Sequence, residues 1–382
     1  MIYLDNAATT WPKPESVSKA MKDCLQNYGA NPGRGGHQLS RMAAQTVEET
    51  RRLLAQLFHV QDPKNMIFCQ NGTHAMNLAL KGWLRKGDHV ITTGWEHHAV
   101  ARPLEAMKKD MGIQVEYIPS GTEGPVDLKR LESAVQSHTR LIVSTHASNI
   151  NGVLIPIEKI GEIAKKKGVP LLVDAAQTAG MVPIDVESMG ISMLAFPGHK
   201  GLLGPQGTGG LYVAPDLPLQ PLIYGGTGSR SEDFQQPEER PGAFESGTLN
   251  TPGIAGLGAG IQFVLEKGIN EIHRYESLLT QYLVDGLKRL EKVRVFNSEY
   301  PSVSVVSFTV DGVEPLEVAM ILDEHYEIAV RAGYHCAALA HQTMGTDQHG
   351  TVRVSPGYFN TKEDLDQLFE ALDEIVKAFS GL

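Results

Sequence analysis

Asp174 ends the run Leu171-Leu172-Val173-Asp174, and Lys200 stands 26 positions later in Pro197-Gly198-His199-Lys200-Gly201. The first run reads as a short apolar strand that stops at a carboxylate. The second sets a lysine in a glycine-flanked turn after another strand. A lysine amine can form a Schiff base, and a carboxylate can keep a pyridine nitrogen protonated so that the ring accepts electrons. Together at neighbouring strand ends, they are what pyridoxal 5'-phosphate needs. Taken singly, each run also reads as a core strand beside a solvated charge. The pairing, followed by the glycine-rich stretch 201–207, favours the cofactor.

Three further runs could do chemistry. Thr93-Gly94-Trp95-Glu96-His97-His98 follows an apolar strand, and a histidine there could stack on a flat cofactor or act as an acid or base near neutral pH. The ordinary alternative is a helix start with partly exposed histidines. Asn71-Gly72-Thr73-His74 lies between a strand and a helix, where free backbone N–H groups could seat a phosphate or simply form a capped turn. Arg331-Ala332-Gly333-Tyr334-His335-Cys336 puts a cysteine beside an arginine and a histidine, a polar setting that favours a reactive thiolate over a structural thiol. Zinc on His335, Cys336 and His341 is a weaker reading, because no CxxC or HxxxH spacing supports it. Seventeen positions after Cys336, the alternation around Arg353 could aim a guanidinium at a substrate carboxylate.

These groups need a scaffold that brings strand ends together. From residue 66 onward, short apolar runs alternate with helical patterns. The strands are expected at Met66–Cys69, His89–Thr92, Gln114–Ile118, Leu141–Ser144, Leu171–Asp174, Met193–Phe196 and Gly210–Val213. That rhythm implies a mainly parallel sheet covered by helices, with ligands at the carboxyl ends of the strands. Residues 215–251 are rich in Gly, Pro and polar residues and read as a long functional or partner-packed loop. Gly253–Gly260 lacks the GxGxxG spacing, so close helix packing explains its glycines better than a nucleotide loop. Beyond it, strands at Val303–Val310 and Ile328–Arg331 and helices at Leu316–His325 and Lys362–Phe379 read as a smaller α+β unit.

At 382 residues, 42% apolar and 20% charged, the composition is that of a soluble globular protein. A net charge of −10 argues against nucleic-acid partners, and no apolar run is long enough to span a bilayer. Cys24, Cys69 and Cys336 cannot form a disulfide framework, which fits a reducing, cytoplasmic setting.

The runs above, with Tyr3-Leu4-Asp5-Asn6-Ala7-Ala8-Thr9-Thr10 at the start, occur in the order and spacing of a known family. The chain resembles the class V aminotransferases, pyridoxal-phosphate enzymes of fold type I, and among them the cysteine desulfurase and selenocysteine lyase branch. The resemblance spans nearly the whole chain. It implies an α/β fold with a mainly parallel seven-stranded sheet in a large cofactor-binding domain over 15–250. A smaller α+β domain would be formed by 1–14 plus 251–382.

It also implies roles. Lys200 would carry the cofactor and move protons, and Asp174 would pair with the ring nitrogen. Gln177 and Asn149 would approach the ring oxygen, and His97 would stack on the ring. Thr73, His74, His199 and Thr248 would hold phosphate, with Thr248 reaching into the neighbouring subunit of a homodimer with shared sites. Arg353, Asn149 and Ala8 would meet the substrate, L-cysteine or L-selenocysteine. Cys336 would take the sulfur as a persulfide, leaving L-alanine, and could pass it to an acceptor protein. An aminotransferase or β-lyase with Cys336 incidental is the alternative. Pro197 replaces a hydroxyl residue, and His74 a threonine, that the family often has at the phosphate. The short Cys336–Arg353 span resembles the branch whose thiol is held close.

Overall fold

The structure, a computed structural model, describes residues 1–33, 35–121, 124–228, 232–296 and 299–379. Its frame is a seven-stranded sheet in the order Met66–Cys69, Gly209–Val213, Met193–Pro197, Leu171–Asp174, Thr139–Thr145, His89–Thr93, Gln114–Ile118. All neighbours pair in parallel except Gly209–Val213, which runs antiparallel to both of its partners. Every strand expected from the apolar runs is present.

Met66–Cys69, His89–Thr93, Leu171–Asp174, Met193–Pro197 and Gly209–Val213 are buried along their length because both faces of the sheet are covered, while the edge strand Gln114–Ile118 begins exposed. Leu171 and Val173 join one core, with Ile91, Ile142 and Leu194. Leu172 turns to the other, with Val90, Val143 and Met193. Each fully buried aliphatic side chain contributes roughly 1.5–3 kcal/mol.

Helix Thr251–Lys267 packs on helices Glu15–Asp23 and Gln38–Leu57 through its glycines. A Cβ at Gly258 would lie 2.5 Å from Thr50 Oγ1, and one at Gly260 would lie 2.4 Å from the Leu202 carbonyl. Close packing is therefore what this glycine run does. Its Ile254, Leu257, Ile261 and Val264 belong to the large-sheet core, so a division after residue 250 cuts through that packing.

The smaller unit is a four-stranded antiparallel sheet ordered Arg331–Gly333, Thr351–Val354, Val306–Val310, Val293–Val295. Helices Ile269–Leu287, Pro315–Tyr326 and Lys362–Phe379 supply Leu283, Leu322 and Leu368 to its core. The expected strand Ile328–Arg331 is two strands. Ile328–Ala329 pairs in parallel with the N-terminal Ile2–Tyr3, and Arg331–Gly333 joins the four-stranded sheet. The first residues of the chain thus lie against the small unit before running to the large one. Among the described residues no helix is long and apolar enough to cross a membrane.

Candidate active site

Three strand ends of the large sheet converge. Asp174 closes its strand fully buried, with Oδ1 accepting from the Ala176 N–H at 3.0 Å. Burial raises its pKa, opposed by that hydrogen bond and by Lys200. Lys200 follows Met193–Pro197 and lines the cleft, half-buried. Burial, together with Arg353, pushes its amine down to about 8, although Asp174 pulls the other way. Near neutral pH a meaningful share of this amine is unprotonated, unlike a surface lysine.

His97 caps helix His98–Met111, its Nδ1 accepting from the Ala99 N–H at 3.0 Å. That bond puts the ring proton on Nε2. Burial, and then the cations Lys200, His98, Arg331 and Arg353, push its pKa to about 3. The expectation of a histidine titrating near neutral pH is therefore corrected: the ring is neutral and suited to stacking. The preceding Glu96 is buried and accepts from Thr93 Oγ1 at 2.6 Å and from the Thr145 N–H with both oxygens. It ties the helix start to the neighbouring strand end.

The small unit closes the same cleft, whose volume is about 210 Å³. Cys336 is an exposed free thiol on a tight turn with φ of 103° at Gly333, 48° at His335 and 58° at Cys336. Left-handed backbone costs a non-glycine residue about 1–2 kcal/mol, so the turn needs clamps. The His335 carbonyl accepts from Asn149 Nδ2 at 2.8 Å, and the Cys336 carbonyl from the His98 N–H at 2.8 Å. One helix start therefore places both the stacking ring and the thiol. Arg353 is 1% exposed, its two terminal nitrogens donating to the Asn149 carbonyl and to Asp5 Oδ1.

Ala8, Thr73, Asn149, Gln177 and His199 line the cleft with Asp174, Lys200, His97, Cys336 and Arg353, as their motifs implied. Gln177 also donates to the Ala7 carbonyl. Two expected residues lie elsewhere. His74 turns its Nδ1 back to accept from the Gln70 N–H, while its backbone N–H donates to the Asn71 cap. Thr248 is exposed and accepts from Asn31, outside its own chain's cleft. His335 faces Thr351 and His341 faces Thr346, so they do not converge on Cys336 as metal ligands would. Among the described residues no cluster of metal-binding side chains forms.

Sequence reasoning placed Arg331 beside Cys336 but gave it no position in the site; it lines the cleft opposite Arg353 across paired strands. Its alternation with Gly333 toward the same face was the available signal. The same reasoning gave no position to Asp5, whose partner is 348 positions away.

The cleft fits pyridoxal phosphate. Asn149 Oδ1, His199 Nδ1 and Arg353 Nε are buried there without partners, and such groups call for a polar ligand. The buried Asp174 suits a pyridinium N–H. Gly72, at the helix start, leaves room that a Cβ would close against Pro197 Cδ at 3.3 Å.

The aminotransferase class-V family model matches residues 2–368. The chain belongs to the class V aminotransferase family. Among class V relatives, a probable cysteine desulfurase of Methanothermobacter thermautotrophicus is 37% identical over 98% of this chain and 94% of its own length. One from Pyrococcus abyssi is 36% identical over 99% and 95%. The apo structure of a cysteine desulfurase from Thermococcus onnurineus superposes with a TM-score of 0.92 at 35% identity, covering 99% of this chain and 95% of that one. The Escherichia coli cysteine desulfurase CsdA, in its S-sulfonic acid form, gives 0.89 at 29% identity, with 99% and 95% covered.

Proposed function

We propose that this protein is a pyridoxal-phosphate-dependent cysteine desulfurase that converts L-cysteine to L-alanine and keeps the sulfur as a persulfide on Cys336. The observation that carries the reading is a single cleft that joins Lys200 and Asp174 to Cys336 and Arg353. A transaminase needs the first pair and a carboxylate clamp. Only sulfur removal needs a thiol there as well.

When bound, the cofactor supplies an electron sink that makes the substrate Cα proton acidic. Asp174 would hold the ring nitrogen protonated, and His97, neutral, would lie on the ring face. Thr73, His199 and the backbone at Gly72 would hold the phosphate without a hydroxyl at Pro197. Arg353 would orient the substrate carboxylate through its free Nε–H. Lys200 would take the Cα proton, which an amine with a pKa near 8 can do and later return. Cys336 would attack the substrate sulfur. One S–S bond forms as the C–S bond breaks, the carbon keeps the bonding electrons, and a proton completes the methyl group of alanine.

Thr248, exposed on the long 215–251 segment with Ile223 and Tyr224, supports a homodimer in which it serves the neighbouring subunit's phosphate. All three cysteines are free, which supports a reducing, cytoplasmic setting, and the exposure of Cys336 leaves its sulfur open to an acceptor protein.

Mass spectrometry of the protein after incubation with L-cysteine tests the reading. One added sulfur on the Cys336 peptide, with alanine released, supports it. Pyruvate and ammonia with an unmodified peptide would instead make the enzyme a β-lyase.

A further inference from the structure

Two arginines face each other across the strand pair that closes the cleft. Arg331 and Arg353 are direct cross-strand partners, and like charges so placed repel. Of these two arginines only Arg353 has a carboxylate partner among the described residues, the Asp5 oxygen 2.7 Å from one terminal nitrogen.

Asp5 is held on every side. Its neighbour Leu4 donates to the Ala329 carbonyl and accepts from the Ser355 N–H at 2.7 Å. Asn6 N–H reaches the Ser355 carbonyl, and Tyr3 Oη donates to the Asp5 carbonyl at 3.1 Å. Two and five residues beyond Asp5, the same strap meets the other wall of the cleft. The Ala7 carbonyl accepts from Gln177, and the Thr10 N–H donates to the His199 carbonyl. The guanidinium has five N–H donors. One goes to Asp5, one to the Asn149 carbonyl, and Nε–H is buried and unpartnered.

We propose that Asp5 is a positioning residue: as a fixed counter-ion on the N-terminal strap, it turns the Arg353 fork so that its Nε–H edge is presented to the substrate carboxylate. This rests on the reading that Arg353 binds that carboxylate. Without Asp5 the guanidinium, repelled by Arg331 and anchored only at Asn149, swings off the line of the substrate. Lost orientation outweighs the gain in bare positive charge, so substrate binding weakens.

The test uses the cofactor-loaded enzyme and its D5N, D5E, R353A and D5N/R353A variants. Alanine formation from L-cysteine gives KM and kcat. Cysteamine, which lacks the carboxylate, is titrated in parallel by the change in cofactor absorbance. D5N is expected to raise KM about tenfold, the scale of a lost charge-assisted hydrogen bond, with kcat changed far less. It is expected to leave the cysteamine titration unmoved and to add nothing in the R353A background. D5E, which keeps the charge, should recover part of the affinity. Should D5N not load cofactor, D5E carries the test through the same KM and cysteamine readouts.

An unchanged or lowered KM in D5N, an equal shift for cysteamine, or an additive effect on top of R353A would overturn the proposal. The reading beneath it fails separately, if R353A itself leaves the KM for L-cysteine unchanged.

Discussion

The two walls of the cleft are built on opposite principles. The large-sheet wall presents buried Asp174 and half-buried His97 and Lys200 from strand ends and one helix cap, on a frame covered on both faces. The small-unit wall presents Cys336 from a turn with three positive φ values in four residues, held by side chains and amides of the other wall. A rigid sheet suits a cofactor that must not move. A strained turn, clamped at two carbonyls, sets a thiol at one place on the cleft wall. The walls share Asn149, which holds the His335 carbonyl while its own carbonyl accepts from Arg353.

This contrast can be broken at several points. The largest effect should come from the rigid wall: Lys200→Ala should reduce alanine formation by at least roughly 10³-fold and abolish the cofactor's lysine-linked absorbance. Cys336→Ser should leave that absorbance intact. It should remove the persulfide and cut L-cysteine turnover to about a hundredth, with the Cys336 peptide as the mass-spectrometric readout. Equal loss of absorbance in both variants would mean the two walls are not separable.

A third variant addresses the strained turn alone. Gly350 has a φ of 74°, and a Cβ there would meet the Gly333 carbonyl at 2.5 Å. Gly350→Ala should lower unfolding stability by about 2 kcal/mol in denaturant titration. It should slow persulfide formation while leaving cofactor absorbance as it was.

The remaining predictions use pH. Lys200 sits near 8, so the rate at which cofactor-free protein captures pyridoxal phosphate should rise with pH through about 8 and level off above it. Stopped-flow absorbance reads this directly, and a rate still climbing about tenfold per pH unit above pH 9 would return Lys200 to the behaviour of an exposed amine. The smallest effect on activity should come from Glu276, buried where the walls meet beside Gln177 and Tyr358. Burial raises its pKa from 4.5 to about 8, so its neutral form is favoured in the folded state. Its contribution is complete below about 4.5 and is lost as pH rises through about 8. The denaturant midpoint of wild type relative to Glu276→Gln should therefore fall across that interval and stay level above it.

Much of this was legible in the residues. Short, mostly apolar runs located all seven strands of the large sheet, because strands buried on both faces need apolar sequence. The motifs at Asp174, Lys200 and His97 sit at the ends of those same strands, so finding the strand found the residue. Elsewhere local signals misled. The single run expected at Ile328–Arg331 splits between two sheets, since its partners come from residues 2 and 351. His74 looked like a phosphate ligand, but its Nδ1 turns back to the Gln70 N–H.

By itself, then, the sequence determined which reactive groups the chain carries: a lysine in a glycine-flanked turn, a carboxylate at a strand end, a thiol and an arginine, each a property of one side chain and its immediate neighbours. Tertiary structure alone decided how those groups act on one another. Burial among cations made His97 neutral, and a strained turn aimed Cys336. Asp5 became the counter-ion of an arginine 348 positions away. Such effects depend on distance in space and on the water excluded between groups, and neither is written in the order of residues along a chain.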